Sequence, residues 1–313
     1  MEYKGDFIEV FAPGTVANVA CGFDVLGFAL EAPGDVISIS KTDNRKIEII
    51  EINGAAELSK DIDNNVVGVS VKALLDELGS QQGLAIKIEK GVKPGSGIGS
   101  SAASSAGAVV AANKLLNAGF NDVDLIRFAM EGERLASGVA HADNVAPAIL
   151  GGFTLVRSYN PLDIIKLNAP SELFCAIVHP QIEVKTADAR SVLRINLPLK
   201  KAVIQWGNVG GLVAGLFLED YALIGRSLHD EIIEPIRSIL IPAFNLVKSA
   251  AMDNGALGCS ISGSGPSIFA LCKGLESANF VANAMGKVYD NLGIDNKVYV
   301  SGINKTGARL VEL

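Results

Sequence analysis

The chain has 313 residues, 49% hydrophobic and 19% charged, which is enough apolar material for a packed core and rules out disorder as its main state. Its 27 Lys plus Arg against 34 Asp plus Glu leave a net charge of −7, which argues against nucleic-acid binding, since that needs a basic face to release counterions. Four scattered cysteines without a C-x-x-C pair, and three separated histidines, weigh against a disulfide scaffold or a structural zinc site and fit a reducing cytoplasm.

The first residues, MEYKGDFIEV, lack the basic-then-apolar run of a signal peptide. In chain order, Phe7–Phe11, Val36–Ile39 and Lys46–Ile52 read as short strands. Val67, Val71, Leu74, Leu75 and Leu78 form a helical stripe that Gly79 would cap. Leu84, Ile86 and Ile88 alternate with charged residues as a half-buried strand. A glycine loop then opens a helix of small residues over Pro94–Asn113, and another helix is predicted over Asp122–Ala136.

Pro161 and Pro170 bracket a segment that divides the chain into residues 1–168 and 169–313. Beyond it come a strand at Leu173–Val178 and helices to about Ala251, with breaks near Gly207, Gly225 and Pro242. Ser262–Ser267 (SGSGPS) is a second glycine loop between two strand-like runs, GCSI and IFALC. A helix from about Glu276 to Leu292 and a strand at Lys297–Ser301 follow. The uncharged stretches Pro94–Asn113 and Asn254–Cys272 are built of Gly and Ser rather than Leu and Ile, so no membrane span is expected.

Gly95, Gly97 and Gly99 follow a strand and precede a helix. Glycines there let backbone N–H groups turn toward one point, and the helix adds its unpaired N–H groups and the positive end of its dipole. The stretch reads either as a turn before a tightly packed helix or as a phosphate cradle, and the unbroken Gly-Ser-Ala run favours the cradle. It is neither a Walker A loop, which needs a lysine after the last glycine, nor a Rossmann fingerprint, which spaces its glycines G-x-G-x-x-G. No G-x-S-x-G elbow surrounds Ser100 or Ser101, which sets aside a serine hydrolase.

Three blocks in order resemble the GHMP kinases: Ala12-Pro13-Gly14-Thr15-Val16-Ala17-Asn18 through Cys21-Gly22-Phe23-Asp24, the Pro94–Ala103 loop, and Ser262–Pro266. The resemblance spans nearly the whole chain. The first block, with Glu133, His141-Ala-Asp143-Asn144, Thr186, Arg190 and Arg237, resembles the homoserine kinase branch in particular. The family fold implied is α+β in two domains. The N-terminal one is like domain 2 of ribosomal protein S5 and has a left-handed βαβ crossover; the C-terminal one is ferredoxin-like.

The resemblance implies ATP and Mg2+ as cofactors, L-homoserine as the phosphoryl acceptor in threonine biosynthesis, and a homodimer. Arg190 and Arg237 would hold the amino-acid carboxylate, for which a planar guanidinium is suited. Asn18 and Asp24 would hold the ammonium, with His141 and Asn144 beside the substrate. Pro94, Gly95, Ser96, Gly97, Ile98, Gly99, Ser100, Ser101, Ala102 and Ala103 would surround the phosphates, and Asn65 would contact the adenine. Ser101 and Glu133 would ligate magnesium, a hard cation that prefers oxygen. Glu133, His141 and Asn144 are the catalytic candidates. Asn144 stands where some relatives carry an aspartate base, so no strong general base is expected.

Overall fold

A computed structural model describes residues 3–55, 57–182, 184, 186–193 and 196–311. The long strands β1 (Phe7–Ala17) and β2 (Leu26–Thr42) pair antiparallel, with a register shift between Pro13 and Thr15. On one side of the shift, Ile8, Val10 and Ala12 share a core with Ile37 and Ile39. On the other, Val16 joins Leu26, Phe28 and Leu30 in a second core. An irregularity of this kind changes which side of a strand points inward, so one strand pair serves two cores. Only the regular stretches, Phe7–Phe11 and Val36–Ile39, are visible as alternation in the sequence.

Strands β3 (Ile47–Asn53) and β4 (Gly83–Glu89) pair in parallel, joined through α1 (Val66–Leu78). Gly79 caps α1 in the left-handed conformation, at φ 66°. The sheet is covered by α1, α2 (Ser100–Leu115), α3 (Asp122–Ser137) and α4 (Val145–Leu150). The small residues of α2 allow close approach to the sheet: a Cβ on Gly107 would lie 2.7 Å from Ile37 Cγ1. Strands β5 (Phe153–Tyr159) and β6 (Leu162–Leu167) then form a hairpin. Pro161 therefore sits in a tight turn and does not begin a linker, because the segment after it is β6.

The rest of the chain builds a second sheet. Strand β7 (Leu173–Pro180) leads into α5 (Thr186–Ser191), α6 (Leu199–Leu218), α7 (Tyr221–Ser227), α8 (Glu234–Arg237) and α9 (Phe244–Asp253). The hairpin β8 (Gly258–Ile261) and β9 (Ile268–Lys273), α10 (Leu275–Asn291) and β10 (Asn296–Gly302) complete it. The order is β10-β7-β9-β8, all antiparallel, with the Ser262–Ser267 loop as the β8–β9 turn. Both faces are buried: Leu173, Cys175 and Ile177 face the β1–β2 side, while Ala176 and Val178 face α9 and α10. The expected break at Gly207 does not occur. Helix α6 runs through it, since one glycine costs only about 1 kcal/mol in a helix.

Strand β11 (Arg309–Leu310) returns to pair with β1, giving the first sheet the order β11-β1-β2-β4-β3, with β5 on β2 and β6 on β5. All four cysteines are buried and unpaired. Among the described residues, no helix is long and apolar enough to cross a membrane.

Candidate active site

The loop between β4 and α2 is fastened from behind. Gly95, Gly97 and Gly99 take positive φ of 71°, 80° and 67°. At Gly99 a Cβ would fall 2.0 Å from Thr15 Oγ1, so both conformation and space demand glycine there. The Ser267 N–H and hydroxyl donate to the Ser96 carbonyl, the Ser262 hydroxyl to that of Gly97 at 2.7 Å, and the Thr15 N–H to that of Ile98. Thus the two glycine loops, 165 residues apart, hold each other in place.

A buried ion pair, Lys90 with Asp35, anchors the start of the loop. Lys90 Nζ also donates to the Ser100 carbonyl and the Ser104 hydroxyl, both at 2.9 Å. Asp35 accepts from the N–H groups of Gly91 and Val92. Burial pulls the Lys90 ammonium below its ordinary range, opposed by Asp35. Because the pair is locked into the scaffold, it fixes the turn into α2. In the sequence Lys90 is only a lone lysine just past a half-buried strand.

A cavity of about 660 Å3 opens in front of the loop. Gly95, Gly97, Gly99, Ser100 and Ser101 line one end, where the first N–H groups of α2 have no intrahelical partner. Pro94 also lines it, whereas Ser96, Ile98, Ala102 and Ala103 are fully buried and belong to the loop's support. The Ser100 hydroxyl is engaged, donating to the Val92 carbonyl at 2.8 Å.

Glu133, on the α3 face turned toward α2, is only 6% exposed and lines the same end of the cavity. Its Oε1 has no hydrogen-bond partner among the described residues. Burial pushes its carboxyl up to about 7, opposed by the Ser101 hydroxyl and the charge of Lys90. The sequence alone would equally allow an exposed helix carboxylate. A buried, unpartnered oxygen beside a serine hydroxyl suits a hard divalent cation, so Glu133 and Ser101 fit magnesium. Asn65 caps α1: its Oδ1 accepts from the Val67 N–H and its Nδ2 donates to the Ser59 carbonyl. Both ends of its amide are engaged, and its neighbours Asn64 and Val66 are the residues that line the cavity.

The far end is built on the turn after β1. Asn18, Val19, Ala20 and Asp24 all have positive φ, a strained arrangement that outside contacts must hold. Asn18 does so from both ends, accepting from the Asp24 N–H at 3.0 Å and donating to the Gly263 carbonyl at 2.7 Å. Gln205 of α6 donates to the Cys21 carbonyl, and the Tyr159 hydroxyl to that of Asp24.

Arg190 of α5 reaches this turn and donates to both oxygens of Asp24. It also lies 2.9 Å from His141 Nε2. Since arginine only donates, Nε2 accepts and the ring proton sits on Nδ1, 3.6 Å from Asp24. Burial, opposed by the charge of Asp24 and aided by the two arginines, keeps His141 below its ordinary value, in keeping with the neutral ring that the Arg190 hydrogen bond requires. Arg237 is 3% exposed, anchored through Nε to the Ala189 carbonyl. Burial and the charge of Arg190 lower it to about 10. Both guanidinium groups lie against the Phe23 ring, at 5.5 and 4.9 Å. In the sequence Phe23 is only the middle of G-F-D. Thr186 opens α5, and its side chain lies outside what the structure describes.

Asn144 stands between the two ends. It accepts a 2.8 Å hydrogen bond from the Thr15 hydroxyl, which leaves its amide NH2 as the donor end. Asp143 beside it lines the cavity at 3% exposure; burial, then the charges of Asp24 and Glu133, push its carboxyl up to about 8. The sequence offers Asp143 only as part of the run around His141.

Residues 64–152 match the family model of the GHMP kinase N-terminal domain, and residues 212–291 that of the C-terminal domain. The chain belongs to the GHMP kinase family. This kinase is 47% identical to the homoserine kinase of Chloroherpeton thalassium, over 96% of this chain and 98% of the relative. It is 38% identical to that of Pyrococcus abyssi, over 96% and 97%. The crystal structure of homoserine kinase from Cytophaga hutchinsonii superposes with a TM-score of 0.95 at 52% identity, covering 99% of both chains. The two-domain GHMP kinase architecture is thus established, and with it the use of ATP.

Proposed function

We propose that this GHMP kinase transfers the γ-phosphoryl group of ATP to the side-chain hydroxyl of L-homoserine, giving O-phospho-L-homoserine and ADP. The observation that carries the reading is the joining of two unlike half-sites in one cavity. A glycine cradle with a buried carboxylate lies at one end, and two arginines with an aspartate at the other. The second half-site matches a zwitterion, and the full-length identity to homoserine kinases supports the same substrate.

In this mechanism Arg190 and Arg237 bind the substrate carboxylate and Asp24 its ammonium, with Asn18 holding Asp24 in place. Asn144 orients the hydroxyl through its amide NH2. The phosphates rest against the N–H groups of the loop and of α2, with Asn65 and its neighbours toward the adenine. Glu133 and Ser101 would hold magnesium, which when bound would neutralise phosphate charge. The homoserine oxygen bonds to the γ-phosphorus as the bond to the β-phosphate oxygen breaks, and the hydroxyl proton passes to a γ-phosphate oxygen. Positioning and charge neutralisation carry the rate, as is general for phosphoryl transfer. Neutral His141, whose Nε2 accepts from Arg190, positions that arginine. The assignment of residues 1–168 to the nucleotide half and 169–313 to a second domain supplying the arginines, a cytoplasmic location and assembly as a homodimer belong to the same proposal.

The test is magnesium-dependent ADP release with L-homoserine, D-homoserine, L-serine, L-threonine, mevalonate and galactose. Turnover restricted to L-homoserine is the expected result. Turnover with mevalonate or a sugar instead would keep the chemistry and overturn the pocket assignment.

A further inference from the structure

Behind the amino-acid end of the cavity, one side chain ties together the two arms that a substrate would bridge. Gln205 is buried on the inward face of α6, 7% exposed, alongside Leu212, Gly215 and Leu216. A buried amide is costly unless its groups are paired, and here both ends are. Its Nε2 donates to the Cys21 carbonyl at 2.8 Å and to Asp230 Oδ1 at 3.0 Å, while its Oε1 accepts from the Glu231 N–H at 3.0 Å. Cys21 belongs to the turn that carries Asp24, and Asp230 to the segment that leads into α8 and Arg237. Asp230 is 4% exposed and continues the connection. Its Oδ1 accepts from the N–H groups of Ile232 and Ile233, at 2.9 and 3.0 Å, and its Oδ2 from that of Glu234 at 2.8 Å. The Ile233 carbonyl in turn accepts from the Arg237 N–H at 2.9 Å.

The geometry points to Gln205 and Asp230 as positioning residues that fix the distance between Asp24 and Arg237. That distance sets the match to an acceptor whose ammonium and carboxylate sit on one carbon. A path of hydrogen bonds runs from Cys21 through Gln205, Asp230 and Ile233 to Arg237. In front, the two arms also meet at the Gly263 carbonyl, which accepts from Asn18 at 2.7 Å but from Arg237 only at 3.4 Å. The contact in front is the long one, so the shorter bonds behind set the spacing. Burial lowers Arg237, and the charge of Asp230 is among those that oppose the shift, so the same carboxylate helps keep the guanidinium charged. Gln205 and Asp230 stand outside the residues that line the cavity and act through those that do. The inference rests on the proposed function for the identity of the acceptor.

The experiment is steady-state kinetics with L-homoserine and ATP varied in turn, joined to hydrogen exchange on the same proteins without substrate. Gln205→Met keeps the length of the side chain and removes its bonds to Cys21, Asp230 and Glu231. The KM for homoserine should rise at least about tenfold, while that for ATP stays within about twofold. Asp230→Ala should do the same, and the double variant should fall well short of the product of the two, because both break one path. Asp230→Asn keeps Oδ1 and loses only the Glu234 bond, so its KM for homoserine should stay within about threefold of wild type. Gln205→Asn, one carbon short, should raise that KM at least about threefold, which decides the matter if a harsher variant fails to fold. In Gln205→Met the amides of residues 18–25 and 231–237 should lose protection together, and those of α2 and α3 should not. Exchange does not depend on the acceptor. If the wild-type enzyme turns over another compound in place of homoserine, the substrate reading falls, and coupled loss of protection still upholds the brace. A merely structural role would lower the thermal midpoint and the active fraction with both KM values unchanged, and that result would overturn the inference. So would an Asp230→Asn as damaging as Asp230→Ala, or a loss of protection confined to one arm.

Discussion

Arg190 holds both carboxylate oxygens of Asp24 from a single guanidinium nitrogen, at 2.9 and 3.0 Å. The groups assigned to opposite ends of a zwitterion thus satisfy each other, which lowers the cost of keeping two charges in a part-buried pocket. An incoming homoserine exchanges one ion pair for two, with Phe23 and His141 holding Arg190 in reach throughout.

Asp24→Asn should therefore act on substrate binding. The ammonium loses its ionic partner, a loss of about 1.5–3 kcal/mol for a charged hydrogen bond, or one to two decades in the KM for homoserine. The KM for ATP should stay within about twofold, because Asp24 touches only the amino-acid end. Steady-state kinetics with each substrate varied in turn measures this. An equal rise in both KM values would contradict the division of the cavity.

Thr15 and Asn144 make a second linked pair. Thr15→Val removes the hydroxyl that fixes the Asn144 amide while keeping the volume, so kcat should fall by roughly tenfold with little change in KM. Asn144→Ala should cost more, and the double variant no more than Asn144→Ala alone, since both act through one group. The pH profile of kcat should keep its shape in His141→Ala. Loss of a limb near neutrality in that variant would identify His141 as the base and sink the proton route to phosphate.

Much of this architecture is legible in the amino-acid sequence. Period-two alternation and helical stripes mark the regular strands and helices, and the glycine blocks mark both ends of the cavity. What escapes has physical causes. The bend that lets β1 and β2 serve two cores breaks their alternation, so half of each strand reads as loop. The flanking apolar residues of α6 outweigh Gly207. The Lys90–Asp35 pair is invisible because a charged residue on a strand normally faces water, and only the fold brings residues 55 positions apart into contact. The same holds for Glu133, whose burial depends on how α3 packs against α2.

That hidden pair should dominate local stability. Lys90→Met strands a buried Asp35 without its counter-charge, and removing one partner of such a pair costs about 3–5 kcal/mol. Urea denaturation should show a lowered midpoint, and the KM for ATP should rise because Ser100 and Ser104 lose their anchor. An unchanged midpoint would mean that the pair contributes nothing net.

Glu133 supplies the most direct test of the magnesium assignment. Burial disfavours its charge and pushes its carboxyl up to about 7, so it holds a proton into the neutral range. Magnesium needs the carboxylate, so binding of magnesium and nucleotide together should release part of a proton at pH 7 and less at higher pH. Calorimetry in two buffers of different ionisation enthalpy reads this number, and Glu133→Gln should abolish it. The sign also fixes a stability trend. A folded-state value above the ordinary 4.5 means that the group favours folding below pH 4.5, and that this contribution is lost as the pH rises through 7. Asp143, raised to about 8, acts in the same direction and extends the window. The thermal midpoint of the protein alone should fall from pH 5 to 8, and magnesium with a nucleotide should flatten the decline. Proton release that persists in Glu133→Gln would place the metal on another group, with Asp143 the next to test.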